Sequence, residues 1–145
     1  RGLQLVLDQG ASHAVDHTRE GYLDEVRALC DGNGPELILE MLADVNLAAD
    51  LDLVAKYGRI IIIGNRGEIT INPRMTMMKE LDVRGLALFN GAPELMREIM
   101  SDLVAGLEDG SLDPIVGREM PLAEAAAGHV AVLEQGAFGK IVLVP

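Results

Sequence analysis

Three kinds of side chain in this sequence stand where they could meet a ligand. The first is the pair Asn65 and Arg66, directly after the run Arg59–Gly64, RIIIIG. Gly64 permits close backbone approach, Asn65 both donates and accepts hydrogen bonds, and Arg66 can neutralise a phosphate. The same residues also read as an ordinary turn followed by a solvated charge. The second kind is the lone polar residue at a strand-to-helix junction. His17 follows the short β-like stretch Ala14–Asp16, and Asn46 follows Leu37–Leu42. A lone His is most often a partly exposed surface residue, and an Asn at a helix start is most often an N-cap. The third kind is charged. Glu40 and Asp44 look like a carboxylate pair, but without a visible acid/base partner. Lys140 reads either as a mobile charge for a phosphate or as a surface lysine. His13 and His129 fit solvated positions, and Met75, Met77 and Met78 fit a packing cluster. No convincing nucleophile–base triad is visible, so catalytic residues stay unassigned.

Bulk properties limit what those residues can serve. A net charge of −11 over 145 residues opposes general nucleic-acid affinity and docking on an anionic membrane. Cys30 is the only cysteine, which rules out an intrachain disulfide, argues against a Cys-based zinc site and suits a reducing cytoplasm. The longest purely apolar run, Ile60–Ile63, is far too short to span a bilayer. Hydrophobic residues at 49% and charged residues at 24% make an ordinary globular mix. With no Trp and only 3% aromatics, the core must be built from Ile, Leu, Val, Met and Ala. The first residue is Arg, so a processed or truncated start is expected.

The elements that position the candidates follow from periodicity and breakers. Helices are predicted over Gly2–Gln9, Tyr22–Cys30, Val45–Val54, Arg74–Glu80, Pro93–Gly110 and Pro121–Gln135. Strands are predicted over Ala14–Asp16, Leu37–Leu42, Arg59–Gly64, Glu68–Ile71, Asp82–Phe89 and Gly139–Val144. The four consecutive isoleucines predict a strand buried on both faces, as in a parallel sheet. Strands alternate with helices over short connections as far as Phe89, which predicts parallel crossovers and a doubly wound α/β fold. A dinucleotide-binding half should open with a GxGxxG turn, and none is present.

Several blocks resemble the zeta-crystallin-like quinone oxidoreductases of the medium-chain dehydrogenase/reductase superfamily. They are GASHAVDHTRE (Gly10–Glu20), LEMLADVNLAADL (Leu39–Leu51), GRIIIIGNRGEITINPR (Gly58–Arg74), RGLALFN (Arg84–Asn90) and GKIVL (Gly139–Leu143). The resemblance runs over essentially the whole chain but only to the C-terminal portion of that family. It implies a partial Rossmann-like parallel sheet lacking its first β-α-β unit, followed by a segment returning to a GroES-like catalytic domain. Residues 1–90 would belong to the dinucleotide-binding domain and 91–145 to the segment completing the catalytic domain. Strands missing from the middle of the sheet would leave gaps, so this stretch is not expected to fold alone into that arrangement.

The resemblance also implies zinc-independent reduction of quinones or related enones with NADPH. His17 would lie near the adenosine and Asn46 near the ribose. Ile63, Gly64, Asn65 and Arg66 would line the cofactor. Leu86, Ala87, Leu88 and Phe89, which sequence alone assigns to the core, would meet the nicotinamide carboxamide. Lys140 would reach a phosphate. Family members form dimers or tetramers, and here two chains would join along Asp82–Phe89. Two other readings stay open: an enoyl or alkenal reductase of the same superfamily, and a non-catalytic NADPH-binding or crystallin-like structural protein.

Overall fold

The isoleucine run forms the middle strand of a three-stranded parallel sheet in the computed structural model, which describes residues 1–134, 136 and 138–145. The chain divides into two compact units, one of Gly10–Asn90 and one of Arg1–Gln9 with Gly91–Pro145. In the first unit α2 (Tyr22–Leu29) leads to β1 (Leu37–Glu40), α3 (Ala43–Leu53), β2 (Arg59–Ile62), α4 (Arg74–Lys79) and β3 (Asp82–Gly85). The strands are ordered β1-β2-β3, with Ile38 opposite Ile60 and Ile60 opposite Val83. The predicted α/β fold class with parallel crossovers is the observed one.

Side-chain alternation sets the core. Ile38, Ile60 and Ile62 are two residues apart or in register, so they share one face. Ala43, Leu47, Leu51 and Val54 of α3 and its C-terminus cover that face, joined by Ile69, Ile71, Met75 and Leu81. Of the four isoleucines only Ile60 is fully buried; Ile61 and Ile62 are half-buried and Ile63 is exposed. Burial on both faces is therefore not observed, because α3 covers one face and Leu37 and Leu39 on the other lie exposed. The Met cluster is likewise only partly packing: Met75 joins the core, while Met77 and Met78 are exposed.

Two predicted strands are absent. Ala14–Asp16 and Glu68–Ile71 form no strand, because extended apolar residues become a strand only when a neighbour supplies the ladder. Ile69 and Ile71 pack into the core from an irregular segment instead. Strand β1 also stops at Glu40, two residues short of the prediction.

The turns at the amino ends of the strands are strained in a consistent way. Asp31, Tyr57 and Glu80 adopt left-handed φ values of +53°, +65° and +53°, shortly before β1, β2 and β3 respectively. Lys79 ties α4 to α3: its Nζ donates to the carbonyls of Asp52 and, at 2.8 Å, Val54. A cation there satisfies carbonyls that the helix end leaves open. Burial holds this ammonium below the usual lysine range.

The second unit holds α1 (Gly2–Asp8), α5 (Pro93–Asp109), β4 (Val116–Pro121), α6 (Ala125–Ala131) and β5 (Lys140–Val144). Pro93 opens α5 and Gly110, at φ +78°, closes it, as expected of Pro at N1 and a left-handed C-terminal glycine. Strands β4 and β5 pair in parallel. The helix predicted over Pro121–Gln135 is broken into a 3₁₀ turn at Leu122–Glu124 followed by α6, and Gln135 lies outside the described residues.

A candidate cofactor site at the carboxyl edge of the parallel sheet

Parallel strands end together, so the residues following β1, β2 and β3 are brought to one edge. The link between β1 and β2 is tight. Gly64 N–H and Ile63 N–H both donate to the Glu40 carbonyl, at 3.1 and 2.8 Å, and Ala43 N–H donates to the Gly64 carbonyl at 3.0 Å. A β-carbon on Gly64 would strike the Met41 carbonyl, so no other residue fits without backbone movement. The next loop is held by α3: Arg66 N–H donates to Asp44 Oδ1 at 2.9 Å, and Asn65 Nδ2 donates to the Gly67 carbonyl at 2.8 Å. Among the described residues the Arg66 guanidinium makes no ion pair.

Beneath this edge lies a polar cluster. Glu40 follows Ile38 by two residues, so its side chain enters the core face, where only 6% of it stays exposed. Its Oε1 accepts from the Leu42 N–H and, at 3.1 Å, from Asn46 Nδ2. Asp50, 7% exposed, sits one helical turn beyond Asn46, near enough to Glu40 to feel it. Burial first, then hydrogen bonding to Glu40 and the Glu40 charge, push the Asp50 acid up to about 7. Its Oδ2 is buried without a partner among the described residues.

This geometry corrects two expectations. Glu40 pairs with Asp50 and not with Asp44, whose carboxylate serves the Arg66 turn. Asn46 is not an N-cap: Leu42 occupies that position, and Asn46 is the fourth residue of the helix. The capping task falls to Glu40, whose carboxylate takes the Leu42 N–H at the positive end of the helix. Asp50 was legible in principle, since it follows the buried Ala43 by seven residues and Leu47 by three, on the apolar stripe of α3.

Strand β3 ends at Gly85, short of the predicted Phe89. Leu86 N–H donates to the carbonyl of Ile62, the last residue of β2. Beyond it no ladder partner is left, and Leu88–Asn90 close into a 3₁₀ turn. Ala87 is half-buried, whereas Leu86 and Leu88 are exposed and Phe89 is 88% exposed. The core assignment for these residues is thus replaced by an apolar rim beside the β2 terminus.

The carboxyl edge therefore gathers Asn46, Ile63, Gly64, Asn65, Arg66 and Leu86. Among the described residues His17 does not join it by any side-chain hydrogen bond. It is exposed, in a turn where Asp16 Oδ1 accepts from Thr18 N–H at 3.0 Å and Thr18 Oγ1 at 2.7 Å. Those bonds hold the Asp16 carboxyl below its usual range. Lys140 belongs to the second unit, exposed at the start of β5.

Comparison with known proteins gives a consistent picture. Residues 9–143 match the family described as zinc-binding dehydrogenase. The chain is 39% identical to the quinone oxidoreductase of Homo sapiens and 40% identical to that of Sus scrofa, over 99% of its own length and 44% of each relative. It spans less than half the length of these relatives. Among solved structures, an NAD-dependent alcohol dehydrogenase superposes with TM-score 0.84 at 26% identity, covering 99% of this chain and 41% of that one. A Pseudomonas syringae quinone oxidoreductase superposes with TM-score 0.84 at 22% identity, over 99% of this chain and 46% of its own, which shows the shared fold. Among the described residues no group of three or more His, Cys, Asp or Glu side chains could hold a metal ion.

Proposed function

The chain belongs to the zinc-binding dehydrogenase family, and from that premise we propose that the protein containing it reduces quinones or related enones with NADPH, without zinc. The observation that supports this best is the convergence of Asn46, Gly64, Asn65, Arg66 and Leu86 on the carboxyl edge of one parallel sheet. The residues fit the cofactor. Arg66 offers a guanidinium that makes no ion pair among the described residues, suited to a phosphate. Leu86, Leu88 and Phe89 offer exposed apolar surface, suited to a planar ring. Bound NADPH would supply the hydride; the task left to these residues is to hold it, orient it and exclude water. His17 and Lys140 are kept as outer contacts to the adenosine and a phosphate. In this reading residues 1–90 belong to the dinucleotide-binding domain and 91–145 complete the catalytic one.

The same reading makes the protein a cytoplasmic homodimer joined along β3, or a tetramer built from such dimers. Support comes from the free outer edge of β3, which pairs only with β2 among the described residues. No helix among them is long and apolar enough to cross a membrane. The test is fluorescence titration of the full-length protein with NADPH and NADH, then turnover with a quinone and with an α,β-unsaturated ketone, each with and without a zinc chelator. Tight NADPH binding and chelator-insensitive quinone turnover are expected. Enone turnover alone would move the assignment to an alkenal reductase, and NADPH binding without turnover to a non-catalytic binder.

A further inference from the structure

The Glu40–Asn46–Asp50 cluster is buried more deeply than a solvated charge and lies directly under the candidate site. A carboxylic acid beside a carboxylate can donate to it, and the weakened acidity of the buried Asp50 agrees with such a donor role. Glu40 is then left as an acceptor for two further donors, Leu42 N–H and Asn46 Nδ2. An amide has two distinguishable ends. Because its NH₂ end is committed to Glu40, Asn46 presents Oδ1 away from the cluster, and this oxygen takes no protein donor among the described residues.

We propose that Glu40, held by Asp50, is a positioning residue: it fixes the rotation of the Asn46 carboxamide so that Asn46 offers the cofactor an acceptor, selecting a ribose hydroxyl donor. The inference rests on the proposed cofactor reading and adds the residue that orients the contact. Without Glu40 the amide turns freely and presents either end. With it, a ligand carrying an acceptor at that position meets an oxygen and is rejected.

The test is a double-mutant cycle in the full-length protein, read as the NADPH dissociation constant, with folding checked by thermal melting. Asn46→Ala is expected to weaken binding about tenfold, and Glu40→Met by a similar factor, as for loss of one buried polar contact. In the Asn46→Ala background, Glu40→Met should add less than about twofold, because its effect runs through Asn46. Glu40→Gln, whose amide oxygen still accepts both N–H groups, should recover most of the affinity that Glu40→Met loses. If Glu40→Met does not fold, Asp50→Leu removes the proton donor to Glu40 and closes a second cycle through the same Asn46. Additive effects overturn the positioning role and leave the cofactor reading intact. Parent-like binding by Asn46→Ala overturns the contact and the positioning role together. A parent protein that binds no NADPH overturns the function proposed above as well.

Discussion

The Met41 carbonyl occupies the space that a β-carbon on Gly64 would need, so the end of β1 and the end of β2 meet backbone to backbone. Gly64→Ala must therefore push apart two strand ends that share hydrogen bonds to the Glu40 carbonyl. A loss of more than about 2 kcal/mol in urea unfolding is expected, in the range of overpacked, backbone-limited sites. Unchanged stability would mean that the strand ends yield freely and that the edge is not rigid.

Asn65 and Arg66 follow that junction with an amide and a guanidinium that has no ion pair among the described residues. Replacing both with Ala should weaken NADPH binding by about 1–3 kcal/mol, the usual loss for polar and charge-assisted contacts. Titration at two salt concentrations separates the parts, since a phosphate contact by Arg66 is the more strongly screened. Equal affinities in parent and variant would remove the pair from the site.

Asp50 makes stability pH-dependent in a definite direction. Its acid is raised in the fold from 3.8 to about 7, so between those values the folded state holds a proton that the unfolded chain has released. Stability from this group is full below about pH 4 and is lost as pH rises through about 7. Asp50→Asn stays neutral throughout. The parent-minus-variant difference in urea midpoint should therefore fall between pH 4.5 and pH 7.5; a flat difference would show that Asp50 ionises normally.

Lys79 closes the end of α3 through two carbonyls. Lys79→Met keeps the aliphatic stem and removes both bonds, so about 1–3 kcal/mol of stability should be lost. Amide exchange should quicken in the last turn of α3 before it does elsewhere. No change in either measurement would make the contact incidental.

Strand β3 distributes its N–H groups by parity. Asp82 and Leu86 donate towards β2, so by alternation Val83 and Gly85 face the open edge. Val83→Pro removes an outward donor while sparing the β2 ladder. A protein that assembles along this edge should become monomeric by light scattering. A persistent dimer would place the interface elsewhere.

Much of this was readable in the residues. The isoleucine run gave β2 because four β-branched residues in a row resist a helix, and Pro93 with Gly110 bracketed α5 to within a residue. Strand β4 was missed because VGREMP has no alternation, and only Met120 in it is buried. Ala14–Asp16 and Glu68–Ile71 were misjudged for the opposite reason: their composition suits a strand, but pairing depends on neighbours that local sequence does not reveal. The site followed the same division. The loop after β2 was found from its place behind a buried strand. The Glu40–Asp50 contact was not, because it joins a strand face to a helix face ten positions on, and Asp44 lay nearer in sequence.

The left-handed residues Asp31, Tyr57 and Glu80 all stand at the amino ends of the strands, the opposite end of the sheet from Asn46, Gly64 and Leu86. A side chain in that conformation costs roughly 1 kcal/mol, which glycine avoids, though the looser unfolded chain takes part of the gain back. Laboratory evolution towards heat tolerance thus has room to work at these three turns. Improvements accumulated there would leave the shape offered to a ligand untouched, so durability and selectivity can be tuned as separate traits.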